Sequence, residues 1–263
     1  MIQGETKMKK LLVVLAAMMM AVMCIAGCGG NDKKAAESDT LKVGTEPTFA
    51  PFEFQKEGSK DFDGFDMDLA RAIGKQMGKK VVIQNMGFDA LIPALNSGNI
   101  DIAAAGMSIT PERKKAVDMS DPYYTSGLVV VVNNDNNAVK SVKDLDGKAI
   151  AVQIGTTGAA KAGTVPGAKV KTFNTNAEVF LELKNKGADA VIIDKPVAEY
   201  YLTQGGGSDS AKIVGDTMEA ESYGLSLKKD SKLTAEVNKA LAELKKNGEY
   251  DKIYAKWFGG AKK

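Results

Sequence analysis

The sequence contains no histidine and only two cysteines, Cys24 and Cys28, both near the start of its 263 residues. Without an imidazole the chain lacks the side chain that most often moves protons near neutral pH, and the commonest zinc ligand. No cysteine follows Cys28, which excludes a disulfide framework and thiol chemistry in the body of the chain. Long apolar runs are scarce too. The most extended, Leu11–Ile25, holds about 15 residues, whereas a membrane-crossing helix needs roughly 20. Charge of one sign is also missing. Of 35 basic and 33 acidic residues, Met1–Gly27 holds three lysines and one glutamate, so the remainder carries 32 of each. A neutral chain offers no net basic face to a nucleic acid.

What is present begins with the N-terminus. Lys9 and Lys10 precede the apolar run, which ends in Ile25-Ala26-Gly27-Cys28. A positive start, a short apolar stretch and small residues at a cut site describe a secretory signal. The tetrapeptide resembles the lipobox of bacterial lipoproteins, which implies that 1–27 is removed and Cys28 is acylated; an ordinary signal with a chance cysteine is the other reading. The expected protein of 236 residues is then extracytoplasmic and attached to the membrane through lipid. Residues 28–40 (CGGNDKKAAESDT) are small, polar and unpatterned, as in a flexible tether.

From Leu41 onward short apolar runs alternate with amphipathic stretches, the grammar of an α/β fold. Leu41–Thr45, Val81–Met86 and Ile100–Ala104 read as strands, with helices over Asp66–Met77 and Ala90–Leu95. Thr110-Pro111-Glu112 is a helix start: a capping threonine, a proline in the first turn and an acid at the positive end. The pattern restarts after Leu128–Val132, with strands at Ala149–Val152, Val170–Phe173 and Ala190–Ile193. Helices are expected after Gly155, over Glu178–Lys184, after Asp194, and over Leu233–Lys246 and Tyr250–Lys256. Two rounds of this alternation predict two α/β lobes with ligand chemistry at the strand ends.

Four segments could carry that chemistry, and the residues alone leave each with two roles. Glu46, Phe49 and Phe52 lie in a proline-broken loop after a strand, where a ring stacks on a ligand or fills the core; Phe88 is open in the same way. Gly106-Met107-Ser108 leads into the Thr110 helix with Arg113 in its first turn. That arrangement suits a carboxylate, or leaves Arg113 to pair with Glu112 or Asp118. Gln153-Ile154-Gly155-Thr156-Thr157 offers an amide and two hydroxyls without the spacing of a phosphate loop, and also serves as a plain strand–helix turn. Asp194, at the end of an apolar strand, contacts a ligand or caps the helix at Pro196.

Together with Phe52-Glu53-Phe54, Gly64-Phe65-Asp66, Leu91-Ile92-Pro93-Ala94-Leu95, Ser141-Val142-Lys143-Asp144-Leu145 and Lys256-Trp257-Phe258-Gly259, these segments resemble the polar amino acid-binding proteins of ABC importers. That is solute-binding protein family 3, in its glutamine-binding and its lysine/arginine/ornithine- or histidine-binding branches. The resemblance implies a two-lobed, Venus-flytrap fold: lobe 1 over 41–124, lobe 2 over 125–222, a return to lobe 1 over 223–263, and hinge strands near Tyr123–Gly127 and Glu219–Tyr223. It implies partners in the importer's permease and ATPase subunits, and neither cofactor, metal nor catalysis. Residue by residue, Phe49 and Phe88 would sandwich the ligand, and Asp194 would hold its α-ammonium. Arg113 would hold its α-carboxylate with backbone around Gly106 and Ser108 and with Thr156 or Thr157, leaving Glu46 and Gln153 to face the side chain. The glutamine-binding branch has lysine in place of Gln153 and histidine in place of Ile193. Glu46 also replaces the aspartate common at its position. One arginine against two acids leaves a net negative site that a cationic side chain balances, so arginine or lysine is expected, with glutamine as the alternative. A cyclohexadienyl dehydratase-like enzyme on the same fold is a distant one.

Overall fold

The alternating strands and helices form two main sheets flanked by helices, in a computed structural model that describes residues 39–55, 58–203 and 207–259. The expected signal segment 1–27, Cys28 and nearly all of the tether lie outside the described residues. The chain runs β1 (Thr40–Thr45), β2 (Thr48–Phe49), β3 (Glu53–Gln55), β4 (Phe62–Asp63), α1 (Phe65–Gln76), β5 (Lys80–Asn85), α2 (Leu91–Ser97), β6 (Ile102–Ala103), α3 (Pro111–Ala116) and β7 (Val117–Met119). It continues through β8 (Tyr124–Asn133), β9 (Ala149–Gln153), α4 (Thr157–Gly163), β10 (Lys169–Phe173), α5 (Asn176–Lys184), β11 (Ala190–Asp194), α6 (Lys195–Thr203) and β12 (Ala211–Val214). β13 (Ala220–Tyr223), β14 (Ser226–Lys228), α7 (Leu233–Lys246) and α8 (Glu249–Phe258) follow.

The first sheet is ordered β5-β1-β6-β14-β7, with β1 parallel to β5 and β6, and β14 antiparallel to β6 and β7. The second is ordered β10-β9-β11-β8-β12, with β9 parallel to β10 and β11. β8 is the link between the two. Its later residues pair antiparallel with β11 and β12, while Tyr124–Gly127 pair with Tyr223–Ala220 of β13. These two paired strands are the hinge connections of a two-lobed fold. β13 then leads directly into β14 of the first sheet.

Local chemistry explains most elements. α7 buries Val237, Ala240, Leu241 and Leu244, the i, i+3, i+4, i+7 stripe of a helix facing a core. α3 is capped as its sequence predicts: the Thr110 hydroxyl accepts from the Arg113 N–H at 3.2 Å, with proline in the first turn. α1 starts after Gly64, whose φ of 129° puts any Cβ 2.1 Å from the Phe52 carbonyl oxygen, so only glycine fits. The structure adds what periodicity did not announce. β2, β3 and β4 make a small separate sheet of strands two or three residues long. β8 also begins four residues before the apolar run Leu128–Val132, since Tyr124–Gly127 bond to β13 instead of burying a continuous apolar face. An aromatic cluster packs around the crossing strands: Tyr124 stacks on Tyr223 at 5.7 Å, and Phe52 meets Tyr223 edge-on at 5.1 Å.

Candidate functional site

In an α/β sheet, ligands bind outside the carboxyl ends of parallel strands. Glu46 follows β1, Gly106 and Ser108 follow β6, Gln153 ends β9 and Asp194 ends β11. The two sheets present these ends to one another. Glu46, Phe49, Phe88, Gly106, Ser108, Arg113, Gln153, Thr156, Thr157 and Asp194 all line one cavity of about 300 Å³, counted with its opening to solvent. Glu53 and Ala105 line it as well.

Both rings serve two purposes. Phe49 belongs to the main core, stacking on Phe52 at 5.7 Å, and Phe88 to a smaller cluster with Leu91 and Leu95, yet each also faces the cavity. Gly106, with φ of +53°, passes so close to Phe49 that an added Cβ would lie 2.5 Å from the ring. Arg113 pairs with neither Glu112 nor Asp118. Its Nη1 donates to the Ser108 carbonyl at 2.8 Å and its Nη2 to the Gly155 carbonyl at 3.0 Å, while the guanidinium lies 5.3 Å from the Phe88 ring centre. Burial lowers its pKa, opposed by the nearby Glu221 and Asp194 charges.

The Asp194 carboxylate is held from the crossing strands, accepting from Ser126 Oγ at 3.1 Å and from the Tyr223 hydroxyl. Burial pushes it up to about 7 against those two hydrogen bonds. Glu46, only 4% exposed, accepts from Thr48 Oγ1 at 2.7 Å and from Gln153 Nε2 at 2.9 Å, and burial raises its pKa also. The Gln153 amide nitrogen donates a second time, to the Asn174 carbonyl at 3.0 Å, while its oxygen accepts from Asn176 Nδ2 at 2.9 Å. Thr156 is the cap of α4: its Oγ1 accepts from the Ala159 N–H and donates to the Gln153 carbonyl. The Thr157 hydroxyl points elsewhere, to Glu221 Oε2 at 2.8 Å.

Three further acids lie at or near the cavity. Glu53 and Asp66 are buried behind or beside the cavity, and Glu221 sits half-buried on β13. Glu53 has an oxygen without a partner among the described residues, and burial raises its pKa well above the usual range. Asp66 Oδ2 accepts from the Gly106 N–H at 2.8 Å and from the Tyr123 hydroxyl at 2.6 Å. The one available signal was the placement of Glu53 between Phe52 and Phe54, a charge set in an apolar run.

The comparisons agree with this geometry. The model of the bacterial extracellular solute-binding proteins, family 3, matches residues 41–260. The arginine-binding extracellular protein ArtP of Bacillus subtilis (strain 168) is 37% identical over 258 residues, covering 97% of this chain and 100% of that protein. A solved structure of an ancestral arginine-binding protein bound to arginine is 49% identical with a TM-score of 0.80, covering 84% of this chain and 99% of that one. A second, of an ancestral arginine-binding protein bound to glutamine, is 48% identical with a TM-score of 0.79, covering 85% and 100%. By fold, by the strand ends that meet at the cavity and by these matches, the chain belongs to the bacterial extracellular solute-binding proteins, family 3.

Proposed function

We propose that this protein captures an L-amino acid with a cationic side chain, arginine or lysine, and presents it to the permease and ATPase subunits of an ABC importer. The observation that carries the cationic choice is the hydrogen-bond polarity around Glu46. Both N–H groups of the Gln153 amide are already donated, to Glu46 and to Asn174, so Gln153 offers a ligand only its oxygen. Glu46 is an acceptor as well. A guanidinium or ammonium, which only donates, satisfies this end of the cavity; a glutamine amide brings a carbonyl that finds no donor from either residue.

Charge acts in the same direction. Arg113 is the one basic side chain among the residues lining the cavity, against Glu46, Glu53 and Asp194 there and Glu221 behind Ser108 and Thr157, so a zwitterion with a neutral side chain leaves acids without a counter-charge. An unpaired buried charge costs about 3–5 kcal/mol, a factor of roughly a hundred to a thousand in affinity. In this reading Arg113 holds the α-carboxylate, Asp194 the α-ammonium, and Phe49 and Phe88 enclose the carbon skeleton. Gly106, Ser108, Thr156 and Thr157 complete the walls. The lobes, 41–124 with 223–263 against 125–222, close because the ligand touches both, and only that difference in contact drives closure. Capture involves no covalent step. The signal segment 1–27 directs export and is then removed, the acylated Cys28 anchors the protein to the membrane on its extracytoplasmic side, and labelled fatty acid incorporated in the parent but not in Cys28→Ala tests that anchor.

The ligand test is a thermal-shift screen against the common L-amino acids. A ligand at a hundred times its Kd stabilises by about 2.7 kcal/mol, easily read as a shift in Tm. Arginine or lysine should stabilise. Stabilisation by glutamine alone would overturn the cationic choice, and a null result with every amino acid would overturn the amino acid reading.

A further inference from the structure

Glu221 Oε2 accepts two hydroxyl protons: from Ser108 at 2.6 Å and from Thr157 at 2.8 Å. Ser108 follows β6 of the first sheet and Thr157 opens α4 beside the second, so one carboxylate oxygen holds both walls of the cavity. Glu221 itself is on β13, directly opposite Ser126 of β8 in the ladder, and Ser126 with Tyr223 holds Asp194. The hinge strands therefore fix three of the cavity's polar side chains at once.

A hydroxyl has one proton to donate and two lone pairs to accept with. With both protons turned toward Glu221, the Ser108 and Thr157 hydroxyls offer the cavity lone pairs only. We infer that Glu221 is a positioning residue that fixes the polarity of the ligand site: it makes both hydroxyls acceptors, so that with Asp194 they receive the ligand's α-ammonium, and it leaves the α-carboxylate to Arg113. This rests on the amino acid-binding reading above and adds the residue that decides which pole of the zwitterion each wall accepts. Without an acceptor at position 221 the two protons rotate toward the cavity and the wall becomes amphoteric.

The test is calorimetric titration of the protein, Glu221→Ala and Glu221→Gln with L-arginine and with deamino-arginine, which lacks the α-ammonium. L-glutamine and deamino-glutamine form a second matched pair. The readout is the ratio of the two Kd values in a pair, which a merely structural role would not move. In Glu221→Ala the amino acid should weaken about tenfold or more, and its preference over the deamino acid should fall by a similar factor. Glu221→Gln keeps a carbonyl oxygen that can accept both protons, and should restore the ratio. Adding Ser108→Ala and Thr157→Val to Glu221→Gln or Glu221→Ala provides a cycle that does not depend on one variant: with the hydroxyls gone, changing position 221 should no longer alter the ratio. A ratio unchanged within twofold in Glu221→Ala, or effects that simply add in the cycle, would overturn the inference while leaving the amino acid-binding reading intact. No binding of either amino acid by the unaltered protein would overturn both.

Discussion

Asp66 gives the stability of this protein a pH dependence of definite sign. Its carboxyl is wholly buried at the start of α1, one oxygen held by the Gly106 N–H and the Tyr123 hydroxyl and the other without a partner among the described residues. Burial holds its pKa at about 7 against an ordinary 3.8. Between those values the folded chain carries a proton that the unfolded chain has released, so stability falls as pH rises through the window. From about pH 5 to about pH 8 roughly two units of that window are crossed, which amounts to about 3 kcal/mol for this one group. The chain has no histidine to titrate in the window, and the other carboxyls that burial raises, Asp194, Glu46 and Glu53, are common to parent and variant. Asp66→Asn keeps an oxygen for Gly106 and Tyr123 and removes the titration, while Asp194, also near 7, contributes equally to both proteins. Urea unfolding at the two pH values should therefore show the parent losing about 3 kcal/mol more than Asp66→Asn. Parallel losses in the two proteins would show that Asp66 does not titrate in this window.

Three further outcomes follow from the site. Gly106→Ala places a Cβ 2.5 Å from the Phe49 ring at a left-handed backbone position, and should cost about 2–4 kcal/mol of stability and weaken ligand binding, read by urea unfolding and calorimetry. Tyr223→Phe removes a donor from the Asp194 carboxylate, worth about 1.5–3 kcal/mol. Affinity should fall at least tenfold, and the pH below which binding weakens should move up because that hydrogen bond holds the Asp194 pKa down. Arg113→Lys replaces a fork that spans the Ser108 and Gly155 carbonyls with a single ammonium, and should reduce affinity by about a hundredfold while leaving the fold intact by circular dichroism.

The elements with strong periodicity were legible in the sequence to within a few residues. Leu233–Lys246 is a helix with the expected ends, and Ala149–Val152, Val170–Phe173 and Ala190–Ile193 are strands extended by one residue at most. Thr110 caps the helix that its hydroxyl and Pro111 announced. Segments that gain their structure from distant partners were not legible from periodicity, although the family resemblance placed hinge strands near Tyr123–Gly127 and Glu219–Tyr223. β2, β3 and β4 are too short for a period of two to register, and the polar Ala220–Tyr223 becomes a strand only because β8 lies beside it. The site divides along the same line. Residues at the ends of apolar strands, Glu46, Gln153 and Asp194, stood out by position. Glu221 did not, because its partners Ser108 and Thr157 are 113 and 64 positions away. Asp66 read as an ordinary acid in a helix's first turn, since nothing in its neighbours shows that Gly106 and Tyr123 close over it.

The proposed selection is of a donor-only side chain by the acceptor-only end that Glu46 and Gln153 build. Calorimetric titration of L-arginine and L-glutamine into the protein and into Glu46→Gln tests it most directly. Arginine should bind tighter than glutamine by about a hundredfold or more in the parent, and that preference should fall at least tenfold in Glu46→Gln. Equal or tighter binding of glutamine by the parent, or a preference that Glu46→Gln leaves unchanged, would contradict it.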